Sequence, residues 1–362
     1  MRKLLILAAA LILFLTACGK EETEPVRQLF FPEYTVLQKN VTVPAWFYPE
    51  TGKVEFLCPD CVHQCVKGEY ACREAVHGHE CPFYEISERY SLVDGVLYYF
   101  AGDDDNVALY SYDTEDHTRE VLMETDNPLW RSSYIFKKEY LYSYDRDSEM
   151  EGWQSYGNMN RIHLPSMRVT DISGQQIPWT IVDGIGYYNI ADSSPYIVSG
   201  LYSQPLYARN ELPPAKELLL HEVDLGVSLY MDENAVYWSG TNYLPDEMEE
   251  TESNLYRYDR HTKETTLLIR DYRFGVETGY GEYLYDIRHD ETGSVLVRVH
   301  GTLGDQKVLY TPEEGWSLTG GARAAGQYII ADMKSDTAYG KLVYDTAAET
   351  CQTYVLQETD AS

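Results

Sequence analysis

The sequence predicts an all-β chain closed into a ring of similar antiparallel sheets, a β-propeller of six to eight blades with seven preferred. Three observations carry this expectation. Apolar residues alternate over short stretches broken by Gly, Asp, Asn and Pro, the period of half-buried strands. Tyrosine, 33 residues against 9 phenylalanines, suits strands better than helices. One two-part module recurs at intervals of roughly 40–50 residues, the spacing of propeller blades.

Residues 1–17 read as an export signal. Arg2 and Lys3 precede an apolar run, Leu4 to Leu15, too short to span a bilayer as a stable helix. The run ends in Leu15-Thr16-Ala17-Cys18-Gly19, which resembles the lipobox of bacterial lipoproteins. That resemblance implies that Cys18 becomes the N-terminus, carrying a thioether-linked diacylglycerol with acyl chains such as palmitate. Each buried methylene contributes ~0.8 kcal/mol, and two chains suffice for stable anchoring. The chain is therefore expected at the extracytoplasmic face of the cell membrane, with the bilayer as a partner through Cys18. Residues 18–32, with Glu21, Glu22, Glu24 and Pro25, are expected to form a solvated tether, and residues 33–362 the propeller.

The first half of the module is a turn leading into a strand with paired aromatics. It reads Asp94-Gly95-Val96-Leu97-Tyr98-Tyr99, Asp183-Gly184-Ile185-Gly186-Tyr187-Tyr188 and Glu233-Asn234-Ala235-Val236-Tyr237-Trp238. Weaker copies begin at Lys138, Gly281 and Gly326. The second half is a Leu-Tyr-x-Tyr-Asp strand, a polar turn and an apolar strand. It runs from Leu109 to Met123, from Leu255 to Ile269 and from Lys341 to Leu356. A hairpin of the same type, Ala45 to Leu57 around Thr51-Gly52-Lys53, stands alone near the start. A blade cannot bury its faces alone, so blades pack in a ring. The lone hairpin is expected to close that ring by completing the last blade. A long β-sandwich is the alternative, but it gives no reason for the similar hairpins. The repeated tyrosines are expected to pack ring against ring between blades, their hydroxyls reaching backbone or water, rather than to stack on sugars.

The densest chemistry lies in an insertion at residues 58–81. Cys58, Cys61, His63, Cys65, Cys72, His77, His79 and Cys81 fall within 24 residues, and Cys351 lies far away in the last repeat. Closely spaced Cys with later His and Cys suits tetrahedral zinc. An exported location favours disulfides instead. Six cysteines allow 15 pairings, and the sequence does not choose among them. If the first hairpin sits beside the last blade, a disulfide from Cys351 to the insertion would lock the ring, at about 5 kcal/mol in the chain-entropy treatment of a loop of about 290 residues.

With these repeats, the run Tyr48, Thr51-Gly52-Lys53, Cys58, Cys61 and His63 resembles a group of exported lipoproteins of Gram-positive anaerobes. The resemblance implies a Tyr-rich propeller of the TolB or seven-bladed kind over most of the mature chain. It implies architecture and no particular activity.

Other patterns exclude more than they assign. The formal charge of −29 opposes phosphate-backbone binding, so no nucleic-acid partner is expected. Gly102-Asp103-Asp104-Asp105-Asn106 reads as a hairpin turn rather than a calcium loop, and Asp246 to Glu252 as a solvated insertion. His221-Glu222 lacks the second His of a zincin, and no Gly-x-Ser-x-Gly elbow, phosphate loop or sialidase-type Asp-box is present. The expectation is thus a monomeric, membrane-anchored propeller that binds an envelope protein or a glycan without catalysis. The alternatives are a polysaccharide lyase or glycoside hydrolase, and an accessory subunit of a membrane-embedded partner. No cofactor is expected, with a structural zinc as the one alternative.

For the insertion, disulfides predict fewer titratable thiols before reduction than after, and no stoichiometric metal. One zinc per chain, surviving purification without chelator and measured by elemental analysis, would overturn that expectation.

Overall fold

A computed structural model of the chain describes residues 25–358, apart from 32, 37–38, 43, 58–81, 84–85, 103–106, 126–133, 145–149, 152–153, 156–157, 179, 192–197, 222–228, 243–250, 273–277 and 291–292. Its strands form seven antiparallel sheets arranged as the blades of a propeller. Blade 1 has three strands, Gln28–Phe30, Ala45–Tyr48 and Lys53–Phe56. Blade 2 comprises Ile86–Val93, Val96–Gly102, Val107–Asp113 and Arg119–Thr125, and blade 3 Tyr134–Lys137, Tyr140–Tyr144, Met159–His163 and Arg168–Asp171. Blade 4 comprises Thr180–Val182, Ile185–Ala191, Val198–Pro205 and Glu217–His221, and blade 5 Leu229–Met231, Ala235–Asn242, Thr251–Asp259 and Thr265–Ile269. Blade 6 comprises Thr278–Tyr280, Tyr283–Asp290, Gly293–His300 and Gln306–Tyr310, and blade 7 Ser317–Ala325, Tyr328–Lys334, Ala338–Asp345 and Thr350–Glu358. Small hairpins, Glu33–Val36 with Lys39–Thr42 and Met150–Glu151 with Gln154–Ser155, are appended to blades 1 and 3.

Alternation along the inner strands serves two interfaces at once. In blade 2, Leu97, Tyr99 and Ala101 pack on Leu29 and Trp46 of blade 1, while Tyr98 and Phe100 pack on Leu141 and Ile162 of blade 3. Successive side chains of a strand point to opposite faces, so a strand between two neighbours reads as a near-continuous apolar run. Each fully buried apolar side chain contributes about 1.5–3 kcal/mol. The paired aromatics fill these interfaces. Tyr99 with Tyr110, Tyr188 with Tyr202 and Trp238 with Tyr256 are cross-strand pairs with near-parallel rings, centroids 5.7, 4.9 and 5.7 Å apart. Several of the buried hydroxyls reach backbone acceptors, as expected: Tyr112 donates to Leu57 O at 2.8 Å and Tyr99 to Pro82 O at 2.6 Å. Leu57 and Pro82 flank the Cys/His insertion in sequence, so these two bonds hold the residues before and after it against blade 2.

The module's turns are explained residue by residue. Asp94-Gly95 and Asp183-Gly184 adopt positive φ at both positions, the type I′ turn that matches strand twist. The Asp of Leu-Tyr-x-Tyr-Asp caps the outer hairpin. Asp113 Oδ1 accepts from the amides of Glu115 and Asp116, Asp259 from His261 and Thr262, and Asp345 from Ala347 and Ala348. Those amides hold the Asp113 and Asp259 carboxyls below the usual carboxylate range. Four residues later the backbone turns left-handed, at His117, Lys263 and Glu349.

A feature the alternation did not foretell is a β-bulge in the outermost strand of five blades. The extra residue is a leucine each time: Leu122, Leu219, Leu268, Leu309 and Leu356. Each packs into the interface with the following blade. The residue before it, Val121, Leu218, Leu267, Val308 or Val355, is left exposed. A bulge sharpens the local twist, and here it turns an otherwise solvent-facing strand back onto its neighbour.

The ring closes differently from the expectation. Blade 7 takes all four strands from residues 317–358, because two complete hairpins follow Trp316, and it shares none with the N-terminus. The N-terminal hairpin closes the ring by packing instead. Phe30, Ala45 and Phe47 of blade 1 lie against Tyr328, Ile330 and Val343 of blade 7. Phe47 meets Tyr354 edge-on at 5.9 Å, and Tyr354 donates to Pro49 O at 3.1 Å. Gln28–Phe30, expected in the tether, is a strand of this closing blade, so the propeller begins before residue 33. On either side of the three-stranded blade, the first strands of blades 2 and 7 are bulged, with residues 87–89 opposite Phe100 and Gly320, Gly321 and Ala322 opposite Ala331. Tyr90 from blade 2 meets Phe31 of blade 1 at 4.6 Å and lies within the field of Arg323 from blade 7.

Gly52 has φ +69°, and a Cβ there would lie 2.1 Å from Tyr354 Cδ1. Gly52→Ala should cost roughly 2–4 kcal/mol, from left-handed strain and displacement of the closing tyrosine. Urea unfolding checks this, and in a Tyr354→Ala background the cost should fall to the backbone part alone, about 1 kcal/mol. Burial also pushes Tyr142, Tyr187 and Tyr285 up to about 12. Below pH 10 these groups are neutral in both states and their contribution is complete. Between about pH 10 and 12 only the unfolded chain ionises, so stability falls as pH rises, by up to about 1.4 kcal/mol per pH unit for each group. A tyrosinate absorbance titration should show a class that ionises only as the circular dichroism of the fold is lost. Titration of every tyrosine near pH 10 with the fold intact would contradict the burial.

Candidate functional site

The outer hairpins of blades 1, 2, 3, 5, 6 and 7 share one geometry, with a left-handed residue at Gly52, His117, Met167, Lys263, Gly304 and Glu349. Blade 4 departs from it. Between Pro205 and Glu217 the short turn is replaced by the loop 206–216, which contains Pro213 and Pro214. The loop leans toward blade 3: Arg209 N donates to Asp171 O at 3.0 Å, its guanidinium lies 3.6 Å from the Asp171 carboxylate, and Gln175 Nε2 donates to Tyr207 O at 3.0 Å. Glu211 Oε2 accepts from Ala208 N at 2.9 Å and fixes the bend. Between this loop and blade 3 lies an open cleft of about 670 Å³, lined by Tyr140, Arg161, His163, Ser166, Arg168 and Glu211 among others.

Blade 3 positions these groups by register. Tyr140 pairs with His163 and Tyr142 with Arg161, so all four side chains share the face turned to blade 4. The Arg161 guanidinium lies 5.3 Å from the Tyr140 ring centre, and the His163 ring lies 5.4 Å from the same ring. His163 Nδ1 and Ser166 Oγ are hydrogen-bonded at 2.7 Å. Below them Tyr142 is buried, and desolvation pushes its phenol up to about 12 although Arg161 pulls the other way. Chemically the cleft offers cationic and aromatic groups on a protein whose overall charge is −29.

A second cluster is structural. Lys341 is only 3% exposed, and its ammonium pairs with Asp332 and lies 4.5 Å from the Phe30 ring centre. Desolvation lowers its pKa, opposed by Asp332. It is a satisfied charge inside the closing interface.

Of the residues singled out from the sequence, Cys18, Cys58, Cys61, His63, Cys65, Cys72, His77, His79 and Cys81 lie outside the described residues, as do Asp103 to Asn106 and Asp246 to Glu250. Cys351 is described, and not where it was expected. It is a half-buried thiol in the interface of blades 6 and 7, with no disulfide partner among the described residues and Sγ 3.7 Å from Leu309 O. Blade 1 packs on the opposite face of blade 7, so the thiol points away from the ring closure, and burial raises its pKa. Among the described residues no group of three or more His, Cys, Asp or Glu is placed to hold a metal ion, and no helix is long and apolar enough to cross a membrane.

The cleft itself was not anticipated. Two signals could have found it: the Pro-rich stretch where every other module has a short turn, and the duplication of Glu-Tyr-Leu-Tyr at 139–142 and 282–285, followed by Arg-x-His at 161–163 and 298–300.

No protein-family model matches the chain, and no curated protein matches it. Solved structures do. The β-propeller domain of the Trilobed protease from Pyrococcus furiosus, described as having an open velcro topology, aligns over 93% of this chain and 100% of that one, with TM-score 0.57 and 10% identity. An uncharacterised protein of Listeria monocytogenes aligns over 94% and 93%, with TM-score 0.54 and 10% identity. A prolyl endopeptidase aligns over 93% of this chain with TM-score 0.51 and 15% identity, and this chain spans 53% of its length. At such identities the likeness defines the fold, a seven-bladed β-propeller.

Proposed function

We propose that this chain is a membrane-anchored, extracytoplasmic propeller that binds a ligand without catalysis, with the cleft between blades 3 and 4 as a binding site. The observation that carries the reading is the departure of loop 206–216 from a hairpin geometry that the other six blades keep. A lipid anchor at Cys18 would hold the monomeric propeller at the outer face of the membrane, where an envelope protein or a glycan is the available class of ligand. Disulfides within residues 58–81 would staple the insertion, with structural zinc as the alternative.

The cleft's chemistry favours binding over the alternative of a polysaccharide lyase or hydrolase. His163 engages Ser166, but among the described residues no third group orients it as such a base would require. Among the described residues Glu211 is the one carboxylate lining the cleft, and its Oε2 accepts from a backbone amide. Glycoside hydrolysis needs two facing carboxyl groups.

Replacing residues 206–216 by the four-residue turn of blade 5 tests the reading. On glycan and peptide arrays, a ligand retained by the wild-type chain should be lost by the variant while its circular dichroism stays that of the folded propeller, even though loss of buried Leu206 lowers the melting temperature. Equal retention by both would dismiss the cleft, and turnover of any polysaccharide would establish the enzyme instead.

A further inference from the structure

The duplicated Tyr-Arg-His cluster supplies an internal comparison. In blade 6, Tyr283 pairs with His300 and Tyr285 with Arg298, the register of Tyr140, His163, Tyr142 and Arg161 in blade 3. The Arg298 guanidinium lies 4.2 Å from the Tyr283 ring centre, and His300 lies 5.3 Å from it. Even the adjoining backbone agrees, with Leu164 N donating to Glu139 O at 2.9 Å and Gly301 N to Glu282 O at 2.8 Å. Both clusters face the following blade.

They differ in what that blade returns. The outer turn of blade 7 places Glu349 on Arg298, Nη1 to Oε1 at 3.0 Å, with Lys307 3.9 Å from the other carboxylate oxygen. In blade 4 the corresponding turn is the loop 206–216, which brings no carboxylate onto Arg161. Its one acid in the cleft, Glu211, bonds its own loop, and neighbouring Asp171 is taken by Arg209. Arg161 therefore faces the cleft over Tyr140, with Arg168 and His163 lining the same space.

We infer that this cleft binds a carboxylate presented by a peptide partner, a glutamate or aspartate side chain seated on Arg161 as Glu349 is seated on Arg298. The inference rests on the reading of the cleft as a binding site and specifies its ligand. An arginine guanidinium suits a carboxylate, and blade 6 shows a glutamate on a turn supplying one through a single Nη1–Oε1 contact. The overall charge of −29 disfavours a polyanionic partner, so the acid is an isolated one on an otherwise neutral or basic segment.

The test uses the capped peptide acetyl-Gly-Glu-Gly-amide, its Gln counterpart and glucuronic acid as probes, titrated by NMR into the full propeller. The Glu peptide should bind saturably and at least tenfold more tightly than the Gln peptide. Arg161→Gln should erase that preference, and Arg161→Lys, which keeps charge and stem, should retain part of it. Glu349→Ala should expose Arg298 and raise the stoichiometry from one to two. Equal binding of the two peptides, an unaltered preference in Arg161→Gln, a stoichiometry of one in Glu349→Ala, or binding of glucuronic acid but not of the peptide would each overturn the inference. A ligand lost on loop replacement yet kept by Arg161→Gln would sink it while leaving the cleft a binding site.

Discussion

The second and third strands of a four-stranded blade are largely buried on both faces, and this double burial governs the rest of the molecule. A strand with one apolar face can be satisfied by a single partner layer, whereas these need a neighbour on each side. Only a closed ring provides that for every blade. The last join carries the heaviest demand, since the two ends of the chain must meet there without a shared strand. Phe30, Phe47 and Tyr354 meet it with edge-on aromatic packing, and Tyr328 adds a hydroxyl bond to Glu50 Oε1 at 3.1 Å. The three-stranded first blade leaves less inner surface than its fellows. The bulged first strands on either side bring Tyr90 and Arg323 toward that space.

Tyrosine is the residue that makes the interfaces workable. A phenylalanine would fill the same volume, but the interfaces also receive loose carbonyls and side-chain acceptors from the connections between blades. Tyr99, Tyr112 and Tyr354 each bury a ring and spend the hydroxyl on a backbone carbonyl of blade 1 or the connection that follows it. Tyr258 does the same with Glu217, and Tyr272 with the buried Asp286. One residue type therefore ties sheets together by both apolar contact and directed bonds. The composition is a consequence of the architecture.

The sheets were legible for the same reason. The turn residues Asp94-Gly95 and the capping Asp of Leu-Tyr-x-Tyr-Asp are local signals, and they recur because every blade solves the same turn. Closure was not legible. Whether a leading hairpin joins the last sheet or stands as its own depends on strand partners more than 250 residues away, which no local pattern encodes. The bulge leucines were hidden because a two-residue apolar step, such as Val121-Leu122, reads simply as an apolar strand. Cys351 was misplaced for a related reason: its position in the outer strand of blade 7 was clear, but the face it occupies follows from register with Tyr344.

Repetition also explains where function can reside. Strand positions answer to two interfaces, so a change there is felt by two neighbours, while an outer turn answers to one. Blades 3 and 6 show the consequence. Their strands keep Tyr, Tyr, Arg and His in the same register, and the divergence falls on the turn that the next blade contributes. In blade 6 that turn completes an internal ion pair, with Arg298 15% exposed and Glu349 55% exposed at the surface. Beside blade 3 the longer loop of blade 4 is tied down at Asp171 and Gln175 and leaves a similar guanidinium beside open volume. Lengthening a surface connection costs little in closure entropy. A structural contact can thus become a recognition site while the strands that aim it stay as the ring requires.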